Sequence, residues 1–197
     1  MRIALAVSEF PSPSQTFVLD HASGLIDRGH ALELHAMSRG HLPVLHAGIE
    51  KHQLLHCTRY APPAGRLPLP WLRTSGCDLI RHPVWATRFL LDRSGYRLER
   101  LRGCVSFWSR TQAYDLIHAH SGYNGMRLLP LYEEGLLSVP LVVTFHGHDA
   151  NGFLAQRPAH YYQPLFARAA ALIACSGFMQ ARLLALGAPP GKLHVIA

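Results

Sequence analysis

Short blocks of aliphatic and β-branched residues alternate along the chain with stretches whose apolar positions recur every three or four residues. The first block, RIALAVS (2–8), runs into the proline-punctuated turn EFPSPSQ. From Ser14 to Arg28 the period becomes helical: Phe17, Val18, Ala22, Leu25 and Ile26 share one broad face, with Ser14 placed as an N-cap and Gly29 as a stop. ALELHAM (31–37) reads as a second strand. Between Ser38 and Arg73 the pattern weakens to one short strand candidate, HQLLHC (52–57), and the connecting loop APPAGRLPLP (61–70). Past a basic helical region, YDLIHAH (114–120) is a strand, and NGMRLLPLYEEGL (124–136) a helix that kinks or starts near Pro130. PLVVTFH (140–146), ALIACS (171–176) and KLHVIA (192–197) complete the strands, separated by a mostly helical PAHYYQPLFARA (158–169) and a helix GFMQARLLALG (177–187) ended by Gly187.

Strands that run as continuous Val, Ile and Leu are buried on both faces, which calls for helices on either side of a parallel sheet. The expected fold is therefore an α/β, Rossmann-like, doubly wound domain. Ligands of such sheets bind beyond the carboxyl ends of the strands. His118, His120, His146, His148 and Asp149 fall at or just past such ends, as do Ser8 to Thr16 after the first strand and Ser176 after a later one.

Composition narrows the picture. The 197 residues suffice for one well-cored domain, and 49% apolar with 16% charged residues excludes a disordered chain. No window approaches the roughly 18 consecutive apolar residues of a membrane span, and MRIALAV lacks the length and cleavage site of a signal peptide. A cytoplasmic location is expected. Cys57, Cys77, Cys104 and Cys175 are far apart with no C-x-x-C pair, so reduced thiols are expected. The formal charge is +7, almost all of it arginine, and it concentrates in RHPVWATRFLLDRSGYRLERLRG (81–103) among Trp85, Phe89, Leu90, Leu91 and Tyr96. That segment suits either an anionic membrane surface or a helix packing its apolar face on the core. No nucleic-acid module accompanies the charge, so no nucleic-acid partner is expected.

The two H-x-H pairs would each point both rings to one side of a strand, and with Asp149 they could hold a divalent metal. Neither a third fixed ligand nor H-E-x-x-H accompanies them, so no metal and no other cofactor is expected. The neighbours favour a binding rim instead. Gly147 lets backbone approach a ligand, and neutral imidazoles can donate to hydroxyls or a phosphate. The loop FPSPSQT has neither G-x-G-x-x-G nor a Walker pattern, yet it opens a helix whose N-terminal N–H groups can receive an anion. Ordinary turn and cap chemistry is the competing reading of Ser12 and Ser14.

FPSPSQTFVLDHASGLIDRGHALELHA, DLIHAHSGYNG, VVTFHGHDA and LFARAAALIACSGFMQARLLALGAPPGKLHVI together resemble the N-terminal half of family-four, GT-B-fold, retaining glycosyltransferases, in particular those of bacterial exopolysaccharide and colanic-acid-type assembly. The likeness spans nearly the whole chain, leaving only about 40 to 110 without a motif. It implies an acceptor-side domain, facing a cleft, of an enzyme that transfers a hexosyl group from a nucleotide sugar, with retention, to a lipid-linked or saccharide acceptor. TFHG carries over onto Thr144, Phe145, His146 and Gly147, with His146 facing the transferred sugar and its carbonyl near the reacting centre. Ser12, Pro13, Ser14, Gln15 and Thr16 match the loop near the donor phosphates and the acceptor. His118, His120 and Gly122 match a strand end lining the acceptor side, and Asp149 a carboxylate positioning His146 or an acceptor hydroxyl. Gln15 stands where relatives often carry Glu, which argues against a charged role there.

In the family, the segment resembling PPGKLHVI leads into a linker and a second domain that grips the nucleotide and carries two glutamates seven residues apart. The sequence here ends at Ala197. The expectation is thus a single N-terminal domain over 1–197, without the nucleotide-sugar-binding domain and with negligible turnover alone. Two alternatives remain: a non-catalytic acceptor-binding or split-enzyme subunit served by a separate donor domain, and a metal-dependent hydrolase built on the H-x-H pairs.

Overall fold

The computed structural model describes residues 1–41, 44, 46–61, 114–133, 135, 137–158 and 160–196. The basic segment 81–103, and the loop 61–70 apart from Ala61, lie outside them. Among the described residues seven strands form one parallel sheet: β1 (Arg2–Phe10), β2 (Ala31–Arg39), β3 (Thr58–Tyr60), β4 (Leu116–His120), β5 (Leu141–Phe145), β6 (Ala171–Ala174) and β7 (Leu193–Val195). Their order is β3-β2-β1-β4-β5-β6-β7, the doubly wound arrangement anticipated from the apolar runs. The helices are α1 (Thr16–Asp27), α2 (Ala47–Lys51), α3 (Gly122–Glu133), α4 (Gln163–Arg168) and α5 (Gly177–Ala185).

The sheet separates two cores, because successive strand residues point to opposite faces. Ile3, Leu5, Val7 and Phe10 of β1 meet Val18, Leu19 and Ala22 of α1 on one face. Ala4 and Ala6 point the other way, toward Ile117 and Ala119 of β4 and the leucines of α3, in a core that also holds Phe145, Tyr162 and Phe166.

Local chemistry shifts several boundaries from the sequence pattern. The N-cap of α1 is Gln15, without a side-chain cap bond; Ser14, expected there, instead places its hydroxyl 3.3 Å from that of Ser12. HQLLHC is not a strand. It is the C-cap His52 and the turns that follow α2, whose N-cap His46 accepts from the Gly48 N–H, and pairing with β2 begins only at Thr58. Helix α3 starts at Gly122 and runs through Pro130 without stopping. An interior proline costs about 3 kcal/mol, but Leu128, Leu129, Leu131 and Tyr132 are all buried around it. Full burial contributes roughly 1.5–3 kcal/mol for each such large apolar side chain, so packing prevails. The stretch 158–169 yields only the short α4, preceded by turns and 3-10 segments at His148–Ala150 and Leu154–Gln156. Cys57 and Cys175 are free thiols. No helix among the described residues is long and apolar enough to cross a membrane.

Candidate functional site

The winding direction reverses between β1 and β4, so the loops leaving these strands diverge and open a crevice at their carboxyl ends. The Ser12–Thr16 loop flanks one side and Ser121–Gly122 the other. On β4, Ile117 and Ala119 belong to the core under α3. His118 and His120 therefore stand on the opposite face, the one α1 covers. Both are almost fully buried, at 7% and 5% exposure.

Four imidazoles converge there. His21 of α1 reaches His120, with Nδ1 and Nε2 2.9 Å apart. The other nitrogen of His120, Nδ1, lies 3.0 Å from Nε2 of His146, just past β5. His118 places Nε2 2.7 Å from the Thr144 hydroxyl of β5 and stacks on His120, the planes 7° apart and the centroids 4.9 Å apart. Phe17, one helical turn before His21, lies stacked on His146 at 3.9 Å. The result is a continuous chain from His21 through His120 to His146, in which each N···N contact holds one shared proton.

Burial keeps this chain neutral. Desolvation pulls His118 down to about 3, helped by the neighbouring His21 and His146. Desolvation likewise holds His120 well below its usual range, with His118, His21 and His146 adding to it. His21 is lowered by desolvation. His146 is also lowered by desolvation, opposed by the Asp149 carboxylate and reinforced by His21.

Asp149 is 1% exposed, and its carboxylate is occupied by backbone. Oδ2 accepts from the Gly122 N–H at 2.8 Å, and Oδ1 from the N–H groups of His146 and Gly147 at 3.1 and 3.0 Å. It thereby ties the start of α3 to the turn that carries His146. Of the two roles implied for it, this geometry suits positioning of His146, through the main chain; the side chain does not face solvent. Gly147 has φ +117°, a conformation that disfavours any side chain. At Gly122 a Cβ would lie 2.3 Å from a Phe145 ring carbon and 2.8 Å from the Tyr162 ring.

A polar bracket sits beside the histidines. Asn124, 4% exposed, donates to the His120 carbonyl at 2.6 Å and accepts from the Ser8 hydroxyl at 3.2 Å and from Arg127 at 2.8 Å. It links the ends of β1 and β4 and holds a guanidinium near the crevice.

The fold thus brings together His118, His120, Gly122, His146, Gly147 and Asp149. Ser12, Pro13, Ser14, Gln15 and Thr16 lie on the neighbouring loop, exposed or half-buried. Ser176 caps α5, accepting from the Met179 N–H at 3.2 Å. His148 is exposed and lies outside the histidine chain. Sequence reasoning missed His21, Asn124 and Arg127. The signal for His21 was present: it lies four residues after Phe17, a helical turn along the same side.

Comparison with known proteins places these features in context. The family model described as Glycosyltransferase Family 4 matches residues 14–197. A Salmonella typhimurium protein named as a colanic acid biosynthesis glycosyltransferase is 31% identical over 99% of this chain and 50% of its own length. The amylovoran biosynthesis glycosyltransferase AmsK of Erwinia amylovora is 28% identical over the same shares. This chain thus spans about half the length of the curated relatives it matches. Among solved structures, HepE of Anabaena in complex with UDP aligns with TM-score 0.56 at 16% identity, over 100% of this chain and 43% of that one. A sucrose-phosphate synthase from Thermosynechococcus elongatus aligns with TM-score 0.57 at 16% identity, over 100% and 47%.

Proposed function

The chain belongs to glycosyltransferase family 4, and from that membership we propose that it forms the acceptor-side half of a two-domain, retaining GT-B transferase of cell-surface polysaccharide biosynthesis. The donor is a nucleotide sugar, gripped mainly by a second domain. The acceptor is a lipid-linked or free saccharide that enters the crevice between the β1 and β4 loops. Work on such acceptors places the protein at the cytoplasmic side of the membrane, with the basic segment 81–103 as its contact to anionic lipid.

The observation that carries this reading is the mounting of His146. Its ring rests on Phe17 and its Nε2 on His120, while Asp149 holds its main-chain N–H. A ring held by two neighbours on an anchored main chain at a strand end is pre-organised to meet a sugar hydroxyl through Nδ1. The Gln15 side chain caps no N–H of α1, and although the Val18 N–H bonds back to the Gln15 carbonyl at 3.0 Å, the start of the helix can still receive an anionic group such as a diphosphate. The charge that develops on the leaving diphosphate needs further donors from the second domain. An acceptor-side half by itself is expected to bind saccharide without turning it over, because the two half-sites must meet to hold both reactants.

Saturation-transfer NMR of the chain with a repeat-unit oligosaccharide of an exopolysaccharide tests this. Sugar protons should receive saturation from the wild type and lose most of it in His146→Ala, with an unchanged melting temperature showing that the variant is folded. Equal transfer in a folded His146→Ala would overturn the role of His146, and none in the wild type would overturn the acceptor-side reading.

A further inference from the structure

We propose that His21, His118 and His120 form a binding site for a first-row transition-metal dication of the zinc class, under the crevice and adjoining His146. Among the described residues these three each bring one ring nitrogen within 4.8 Å of the others. Zinc–nitrogen bonds of about 2.0–2.1 Å in a tetrahedral site put donor atoms roughly 3.4 Å apart. The 2.9 Å between His21 Nδ1 and His120 Nε2 and the 4.8 Å limit on the set bracket that spacing; because the His118 and His120 planes lie 7° apart, one of these rings must turn for their in-plane lone pairs to converge on an ion.

The chemistry of the donors agrees with the geometry. Imidazole ligates as the neutral base, and the near-complete burial of His118 and His120 disfavours the protonated ring there. A ligating histidine ordinarily gives its second nitrogen to a hydrogen-bond partner that fixes ring and tautomer. His120 has one, its Nδ1 lying on His146 Nε2. His118 has one as well, its Nε2 lying on the Thr144 hydroxyl. The set combines an H-x-H pair from the rigid strand β4 with one residue from α1, and it leaves a fourth position for water or an oxygen of a bound ligand. An all-imidazole set suits zinc, copper or nickel over magnesium or calcium, which prefer oxygen.

Occupancy would act on His146. With Nε2 of His120 on the metal, the proton of that ring stays on Nδ1 and is donated to His146 Nε2, which leaves the His146 proton on Nδ1. The metal would thus fix as N–H donor the nitrogen of His146 proposed to meet the sugar.

Cobalt(II) titration of the chain, followed by its visible absorption and by calorimetry with zinc, tests the site. One equivalent should bind with a d–d spectrum of low coordination number, and zinc should raise the melting temperature. His21→Gln should lose this equivalent by at least tenfold in affinity while His194→Gln, at an exposed histidine, keeps it. Nitrogen-15 spectra of the histidines should show a zinc-dependent change at His146. Absence of a one-equivalent complex in the wild type overturns the proposal, as does binding that survives unchanged in a folded His21→Gln. Should that variant fail to fold, His118→Gln and protection of His21 from carbethoxylation by zinc decide the matter in its place; unprotected His21 counts against the site.

Discussion

At the scale of single residues, the site depends on atoms that make no polar contact with a ligand. Gly122 has no room for a methyl group: its Cβ would sit 2.3 Å from Phe145, a ring buried in the core. Overpacking of this kind costs about 1–3 kcal/mol. Gly122→Ala should therefore lower the melting temperature clearly, whereas Gly177→Ala, where nothing lies within 4 Å, should not. At Gly147 the obstacle is the backbone, with φ +117°, and alanine there costs about 1–3 kcal/mol of conformational strain. Asp149→Ala leaves three backbone N–H groups without their acceptor in a buried turn. A loss of roughly 2–4 kcal/mol is expected, measured as a drop in the urea midpoint. A midpoint within error of the wild type would show that water replaces the carboxylate and that the turn holds His146 by other means.

At the scale of elements, the two strand-end histidines need α1 as much as they need the sheet. β4 and β5 were legible because LIHAH and LVVTF are short apolar runs between turns, and α1 because its apolar positions keep a helical period. The start of α3 was not legible, since the carboxylate that receives its first N–H comes from Asp149, 27 residues away. Helical spacing sets His21 on the Phe17 side of α1, but its pairing with His120, 99 residues later, was hidden for the same reason, since no local pattern encodes it. α2 escaped because its five residues are too few for a periodic signal. The contact between α1 and β4 also sets the acid response. His118 titrates near 3 in the fold against 6.5 unfolded. Between those values the unfolded chain binds more protons, so the stability is complete above about pH 6.5 and drains away as the pH falls toward 3. Facing His118 are His21 from α1, His120 from β4, and Thr144 and His146 from the β5 side. None of these is a carboxylate that could stabilise its charge. In chelator, the urea midpoint should hold from pH 7.5 to about pH 6.5 and fall steadily from there to pH 5. A flat profile would mean that the rings take up protons without opening the packing of α1 on β4.

At the scale of the whole molecule, the charge is lopsided in a way the fold does not require. The formal net charge is +7, and the segment 81–103 holds six arginines against Asp92 and Glu99. A soluble sugar acceptor needs no such run of charge in the sequence, whereas the proposed lipid-linked acceptor would bring the chain to an anionic surface. Each arginine near that surface contributes about 1 kcal/mol, fading within a Debye length. Apolar Trp85, Phe89 and Leu90 lie among the same arginines, so the segment can add burial in the headgroup region to the Coulomb attraction. Vesicles rich in anionic lipid should therefore pellet the chain at low salt and release much of it at high salt, while neutral vesicles should not retain it. Reversing Arg93, Arg97 and Arg100 to Glu should weaken the anionic binding by at least tenfold, and reversing Arg28, the C-cap of α1, and Arg182 of α5, far less. Equal pelleting of the triple variant would place the lipid contact elsewhere. Pelleting lost equally in both variants would make it a matter of net charge alone, and the case for a lipid-linked acceptor would lose its physical support.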